Sequence, residues 1–151
     1  MLRSVHRLGY RVAYTILAST WTVLGRAPAG VKCVILRDDE VLLVRHTYGP
    51  KRWELPGGTK RPLEEPEVTA RREAHEEVGA DIADWTPFGP MITKIGRARV
   101  NLHAFVARVD RLDPQSDGVE IAQARFFPVA ALPEPIGPDV ERIVELGVGA
   151  A

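Results

Sequence analysis

The spacing of apolar residues changes several times along the chain, and each change predicts a different element. In residues 1–26, Leu2, Val5, Leu8, Val12, Ile16, Leu17, Trp21 and Leu24 recur at three- and four-residue intervals, with Arg3, Arg7 and Arg11 on another face. That pattern predicts one amphipathic helix. Ala27-Pro28-Ala29-Gly30 then reads as a linker, so the sequence divides into a basic helix over 1–26 and a main domain over 27–151. β-Branched runs at 31–36 and 41–44, joined by Arg37-Asp38-Asp39-Glu40, predict a hairpin. A loop over 48–52 leads into Trp53-Glu54-Leu55-Pro56-Gly57-Gly58, where the paired glycines let the backbone come close to another group. A helix is predicted over 66–78, with Pro66 in its first turn, Glu65 and Glu67 near its positive end and Gly79 just past its last turn. Further strands are predicted at 91–95, 100–109 and 124–129, and a short helix over 139–146 ended by Gly147. Strands and helices alternate irregularly, which reads as an α/β sandwich.

Composition narrows this picture without naming a partner. A chain of 151 residues forms one ordinary domain, and 20 basic against 20 acidic residues leave no net charge. The charge is uneven, however, because residues 1–32 carry Arg3, Arg7, Arg11, Arg26 and Lys32 and no acid. The stretch between Arg11 and Arg26 is too short for a membrane span of about 20 apolar residues. A basic start, an apolar middle and Ala27-Pro28-Ala29 imitate a secretory signal, but the apolar residues are interrupted periodically instead of forming one block. The favoured expectation is a helix packed on the domain or on a second subunit, as in a homodimer. Peripheral contact with anionic lipid through Tyr14 and Trp21 ranks next, and the signal peptide third. The single cysteine, Cys33, sits in an apolar run and is expected to be buried and inert, which fits a cytoplasmic location. No basic patch interleaved with aromatics predicts dedicated nucleic-acid binding.

The candidate chemistry lies on the helix over 66–78. Glu73, Glu76 and Glu77 are three and four residues apart, so their carboxylates crowd onto one face, with Arg72 four residues before Glu76. Many solvated helices carry such a cluster. Here a neighbouring apolar stripe of Ala70, Ala74 and Val78 implies a packed helix whose acidic side borders a cleft, and Gly57, Gly58 and Glu64 lie just upstream. Clustered hard oxygens suit Mg²⁺ or, as a substitute, Mn²⁺.

Gly58, five residues, Glu64, seven residues, then Arg72-Glu73-Ala74-His75-Glu76-Glu77-Val78-Gly79-Ala80 resembles the Nudix box at every fixed position. The resemblance covers about residues 30 to 133, since the 53–58 entry and the closing Ala124-Arg125-Phe126-Phe127-Pro128-Val129 are also similar to the family. It implies an α/β/α sandwich with a mixed sheet and hydrolysis of a small-molecule diphosphate, typically a nucleoside diphosphate linked to a second moiety. Non-catalytic nucleotide sensing and hydrolysis of an isoprenoid or lipid-linked diphosphate at a membrane surface are the alternatives. Carried onto this chain, Glu73, Glu76, Glu77 and the carbonyl of Gly58 would hold the metal, Arg72 would orient the carboxylates, and Glu64 would position the helix. Glu120, six residues before Phe126, is the downstream candidate for general base, with Glu76 and Glu77 as rivals. Arg45, Arg52, Arg97 and Arg99 flank the loops expected to frame a cleft and are candidates for gripping phosphates. The marker proline or tyrosine found after the box in ADP-ribose and dinucleoside polyphosphate subfamilies is replaced here by Ile95, Gly96, Arg97 and Ala98, which argues against both substrates. His46 and His103 are expected to be structural.

Overall fold

A computed structural model describes residues 28–95, 98–116 and 118–151, so the helix predicted over 1–26 lies outside the described residues. Strands β1 (Gly30–Arg37), β2 (Glu40–His46), β3 (Gly57–Thr59), β4 (Thr86–Ile95), β5 (Ala98–Arg108) and β6 (Ile121–Pro128) form one sheet, with helices α1 (Pro66–Val78) and α2 (Val140–Ala150). The strand order is β4-β5-β1-β2-β6, with β3 also on β1. Among the described strands β1 and β5 pair in parallel and the other pairs are antiparallel, so the sheet is mixed.

The two-residue period of the strands sends alternate side chains to opposite faces and makes two cores. Val31, Cys33 and Ile35 of β1, Leu42 and Val44 of β2, and Phe105 and Ala107 of β5 pack with Ala70, Ala74 and Val78 of α1. Val34 and Leu36, Val41 and Leu43, and Leu102, Ala104 and Val106 pack on the other face with Val140, Ile143 and Val144 of α2. The result is an α/β/α sandwich. Alanines at 70 and 74 are both fully buried, and Ala70 lies close enough for the Cys33 thiol to meet its carbonyl. Burial pushes that thiol far up, so Cys33 is the inert group its setting predicts.

The hairpin of β1 and β2 opens almost at once. Leu36 pairs with Val41 and Arg37 with Glu40, but farther down β1 pairs with β3, and Val44 of β2 bridges to Glu54. Residues 53–59 are therefore wedged between the two strands, held by Cys33 N–H donating to Pro56 O at 2.8 Å on one side and by Glu54 exchanging both backbone bonds with Val44 at 2.9 Å on the other. That wedge delivers the glycine pair to the start of α1.

Helix α1 has the bounds its sequence predicts. Pro66 needs no hydrogen bond in the first turn, and Gly79, at φ 68°, closes the last turn by donating back to the helix. Two expectations need correction. Strand β4 begins at Thr86, not 91, running through Pro87 and Pro90 with a register shift between Phe88 and Met91. As the edge strand, β4 tolerates prolines because one side of it has no ladder to join. Helix α2 does not end at Gly147 but runs on to Ala150. Gly147 is buried in mid-helix because an added Cβ would lie 3.0 Å from Val34 Cγ2 and 3.1 Å from Phe88 Cζ. Its glycine serves close packing and not termination. Among the described residues no helix is long and apolar enough to cross a membrane.

Candidate active site

The apolar stripe of α1 faces the sheet, which carries Glu73 and Glu77 along the margin of the core and leaves Glu76 toward solvent. Glu77 is 4% exposed and the Glu73 side chain 12%, against 49% for Glu76. The cluster is thus not the solvated face that three helical glutamates often make. Burial drives the Glu77 carboxyl well above the usual carboxylate range, and the neighbouring Glu73 adds to the shift while the Gly57 N–H opposes it. Glu73 is also raised by burial, against the pull of Arg72. Gly57 N–H donates to Glu77 Oε2 at 2.9 Å. One hydrogen bond to a charged group contributes about 1.5–3 kcal/mol, whereas desolvating a carboxylate costs several kcal/mol, so this bond alone does not balance the charge.

Arg72 is the hub of the loop and helix. Its Nε and Nη2 donate to the two oxygens of Glu64 at 3.0 and 3.1 Å, its Nη1 to Glu73 Oε1 at 2.7 Å and Glu76 Oε2 at 3.1 Å, and Nη2 also to Thr59 O at 3.3 Å. A planar fork with five donors can hold several acceptors in this way, and a lysine cannot. The Arg72 bonds bring the Glu64 carboxyl down to about 2. Glu64 Oε2 further accepts from Thr69 Oγ1 at 2.8 Å and Arg61 N–H at 3.1 Å, tying the loop to the first turns of α1.

The two glycines meet the helix in different ways. Gly58 lies against Glu73, whose carboxylate occupies the space a Cβ would need. Gly57 has φ 146° and a Cβ there would strike the Val31 carbonyl, so both positions demand glycine. Bonds from Cys33 N–H to Pro56 O and from Lys60 N–H to Ala29 O flank the Val31–Gly58 pair. By the alternation of an antiparallel ladder, that pair exchanges its own bonds, which commits the Gly58 carbonyl to β1. A carbonyl oxygen has two lone pairs, so this bond leaves one for the metal role expected of Gly58, while Gly57 turns its N–H toward Glu77.

A second wall comes from the end of β2 and the turn before β6. Thr47 N–H donates to Glu120 O at 2.9 Å, and Tyr48 Oη donates to Glu120 Oε1 at 2.9 Å. One ring nitrogen of His46 and one carboxylate oxygen each from Glu77 and Glu120 all lie within 4.8 Å of one another. Glu120 therefore converges with α1, as its spacing from Phe126 suggests. His46, expected to be structural, stands in this group although no local spacing in the sequence points there, and burial lowers its pKa to about 4. Thr69 was missed, although its place five residues after Glu64 was a local signal.

Among the described residues, the arginines expected to grip phosphate have the following neighbours. Arg45 sits on the α2 side of β2, its guanidinium 5.4 Å from the Trp53 ring and donating to Lys51 O at 3.1 Å. Arg52 is bound to Glu54 at 2.6 Å. Arg99 is exposed opposite Lys94 near the end of the β4–β5 pair, and Arg97 lies outside the described residues. His75 is exposed beside Asp81 at 2.7 Å, off the acidic face.

Similarity to known proteins follows the same residues. The family model of the NUDIX domain matches residues 26–146. An ADP-ribose pyrophosphatase of Mycobacterium tuberculosis is 33% identical over 111 residues, covering 67% of this chain and 53% of that protein. Diphosphoinositol polyphosphate phosphohydrolase 3-alpha of Mus musculus is 54% identical over 43 residues, covering 28% of this chain and 26% of that protein. The chain thus spans about a quarter to a half of the length of these relatives. The crystal structure of a MutT NUDIX hydrolase from Burkholderia pseudomallei shares the fold, with a TM-score of 0.72 at 22% identity over 79% of this chain and 96% of that one. With the domain match spanning most of its length and the box carboxylates drawn onto one wall, the chain belongs to the Nudix hydrolase family.

Proposed function

We propose that the protein hydrolyses a phosphoanhydride bond in a nucleoside diphosphate-X or related small-molecule diphosphate, with a divalent cation held by Glu73, Glu76 and Glu77. The observation that carries this reading is the burial of Glu77 at 4% exposure beside Glu73. Two shielded like charges are unfavourable unless a cation joins them, and an all-oxygen donor set suits Mg²⁺. Such an ion supplies charge neutralisation at the phosphates and polarisation of a water.

The chain's own groups perform the remaining work. Arg72 holds Glu73 and Glu76 in place by the bonds described, and Glu64 holds Arg72. Glu120, fixed by Tyr48 and Thr47 beside Glu77, takes the proton of the attacking water at its carboxylate. Its convergence with α1 supports this role over that of a solvated loop acid. Gly58 keeps a Cβ out of the space that the Glu73 carboxylate fills, and Gly57 directs its N–H at Glu77.

The absent marker residues argue against ADP-ribose, while the mycobacterial relative named for that activity argues for testing it. The experiment is product release from a panel of ADP-ribose, nucleotide sugars, dinucleoside polyphosphates, nucleoside triphosphates and isoprenoid diphosphates, with Mg²⁺ or with chelator. Turnover that needs the metal and falls by orders of magnitude in Glu77→Gln is expected. Tight binding of a panel member without turnover would replace the hydrolase with a nucleotide sensor.

A further inference from the structure

We propose that His46 forms, with Glu77 and Glu120, a mixed nitrogen–oxygen metal site that selects a transition-metal ion such as Mn²⁺, Co²⁺ or Zn²⁺ over Mg²⁺. The inference rests on the hydrolase reading in that Glu77 and Glu120 serve both, Glu120 giving the ion one carboxylate oxygen and keeping the other for the proton of the water, but it concerns a ligand outside the carboxylates of α1.

The three donors come from three separate elements: the end of β2, the last turn of α1 and the turn before β6. They lie within 4.8 Å of one another. Metal–nitrogen and metal–oxygen bonds of about 2.0–2.2 Å put donors on one ion roughly 3 to 4.4 Å apart, so the trio stands at or slightly outside the span an ion would draw it to. His46 Nδ1 is shielded from solvent and meets no hydrogen-bond partner among the described residues. A buried polar nitrogen left in that state costs about 1–3 kcal/mol, and occupancy of the pocket by a cation gives the ring a reason to be there.

The surrounding contacts hold the trio in register. Between Arg45 and His46 the β2–β6 pairing shifts, so that Arg45 opposes Gln123 and His46 opposes Ile121. Such irregularities re-aim side chains beside active sites. The His46 and Tyr48 rings lie 5.1 Å apart, and Tyr48 in turn bonds Glu120. Mg²⁺ prefers oxygen and dehydrates reluctantly, whereas imidazole suits the later first-row ions.

The test is pulsed electron paramagnetic resonance of Mn²⁺ added to the full chain, with and without ¹⁵N-histidine labelling, alongside Mn²⁺ and Mg²⁺ titrations of wild type and His46→Gln. The proposal expects a directly bound histidine nitrogen in wild type, visible as a coupling that changes on labelling and disappears in the variant. Mn²⁺ affinity falls by on the order of tenfold or more in the variant, while Mg²⁺ affinity stays close to wild type. Mn²⁺ bound with no histidine coupling in wild type overturns the site and leaves the carboxylate reading standing. Absence of any Mn²⁺ or Mg²⁺ binding overturns both. The labelling arm needs only wild type, so a poorly folding His46→Gln does not remove the test.

Discussion

Glu77 is held by its backbone partner and its burial in opposite senses: Gly57 N–H favours the charge and the loss of water opposes it. Glu77→Gln keeps an acceptor for Gly57 and removes the charge. In chelator, the variant is therefore expected to melt above wild type, by about 1 kcal/mol or more in stability, while losing turnover by orders of magnitude. Thermal denaturation with and without Mg²⁺ checks this, since added Mg²⁺ should raise wild type and not the variant. A lower melting temperature for the metal-free variant would mean that the carboxylate is a structural anchor. At Arg72, lysine keeps the charge but not the fork that reaches Glu64, Glu73 and Glu76 together. Arg72→Lys should lower kcat by about 10–100-fold and weaken metal activation in a Mg²⁺ titration. At this scale the acidic face was legible from spacing alone, because residues three and four apart on a helix must be neighbours. The burial of Glu77 and the approach of His46 were not, since both depend on segments far apart in sequence.

Helix α1 was legible to the residue because its signals are local: Pro66 at the start, Gly79 at the end and the alanine stripe between. Helix α2 was misjudged at Gly147 because glycine has two uses that look alike in a sequence, stopping a helix and admitting a neighbour. The structure separates them. Gly147→Ala gains about 1 kcal/mol in helix propensity, but its Cβ meets the fully buried Val34 and the partly buried Phe88, and overpacking of that kind costs about 1–3 kcal/mol. A lower melting temperature with unchanged turnover per folded molecule is expected, because α2 lies across the sheet from Glu77. Strand β4 reaches back to Thr86 through Pro87 and Pro90, residues that interrupt a central strand but that an edge strand accommodates.

For the molecule as a whole, the α/β/α sandwich was legible from alternation and from the box, but the strand order was not. Nothing local announces that residues 53–59 split the first hairpin and carry Gly57 to the helix, or that β1 takes β5 as its parallel partner. The loop and helix are joined by the Glu64–Arg72 pair, which links stability to pH. Glu64 has a folded value of about 2, below its ordinary 4.5, so its contribution is complete above about pH 4.5 and is lost as the pH falls toward 2. Denaturant titrations in chelator between about pH 5 and about pH 2.5 should show a shallower acid loss for Glu64→Gln than for wild type. The account stands on phosphoanhydride hydrolysis, and the most direct measurement is turnover of the best panel substrate in ¹⁸O-water, followed by ³¹P NMR. The account predicts metal-dependent cleavage with one ¹⁸O entering a single phosphate product and none in chelator. Turnover that leaves both phosphate products unlabelled, or binding with no turnover in any metal, would contradict it.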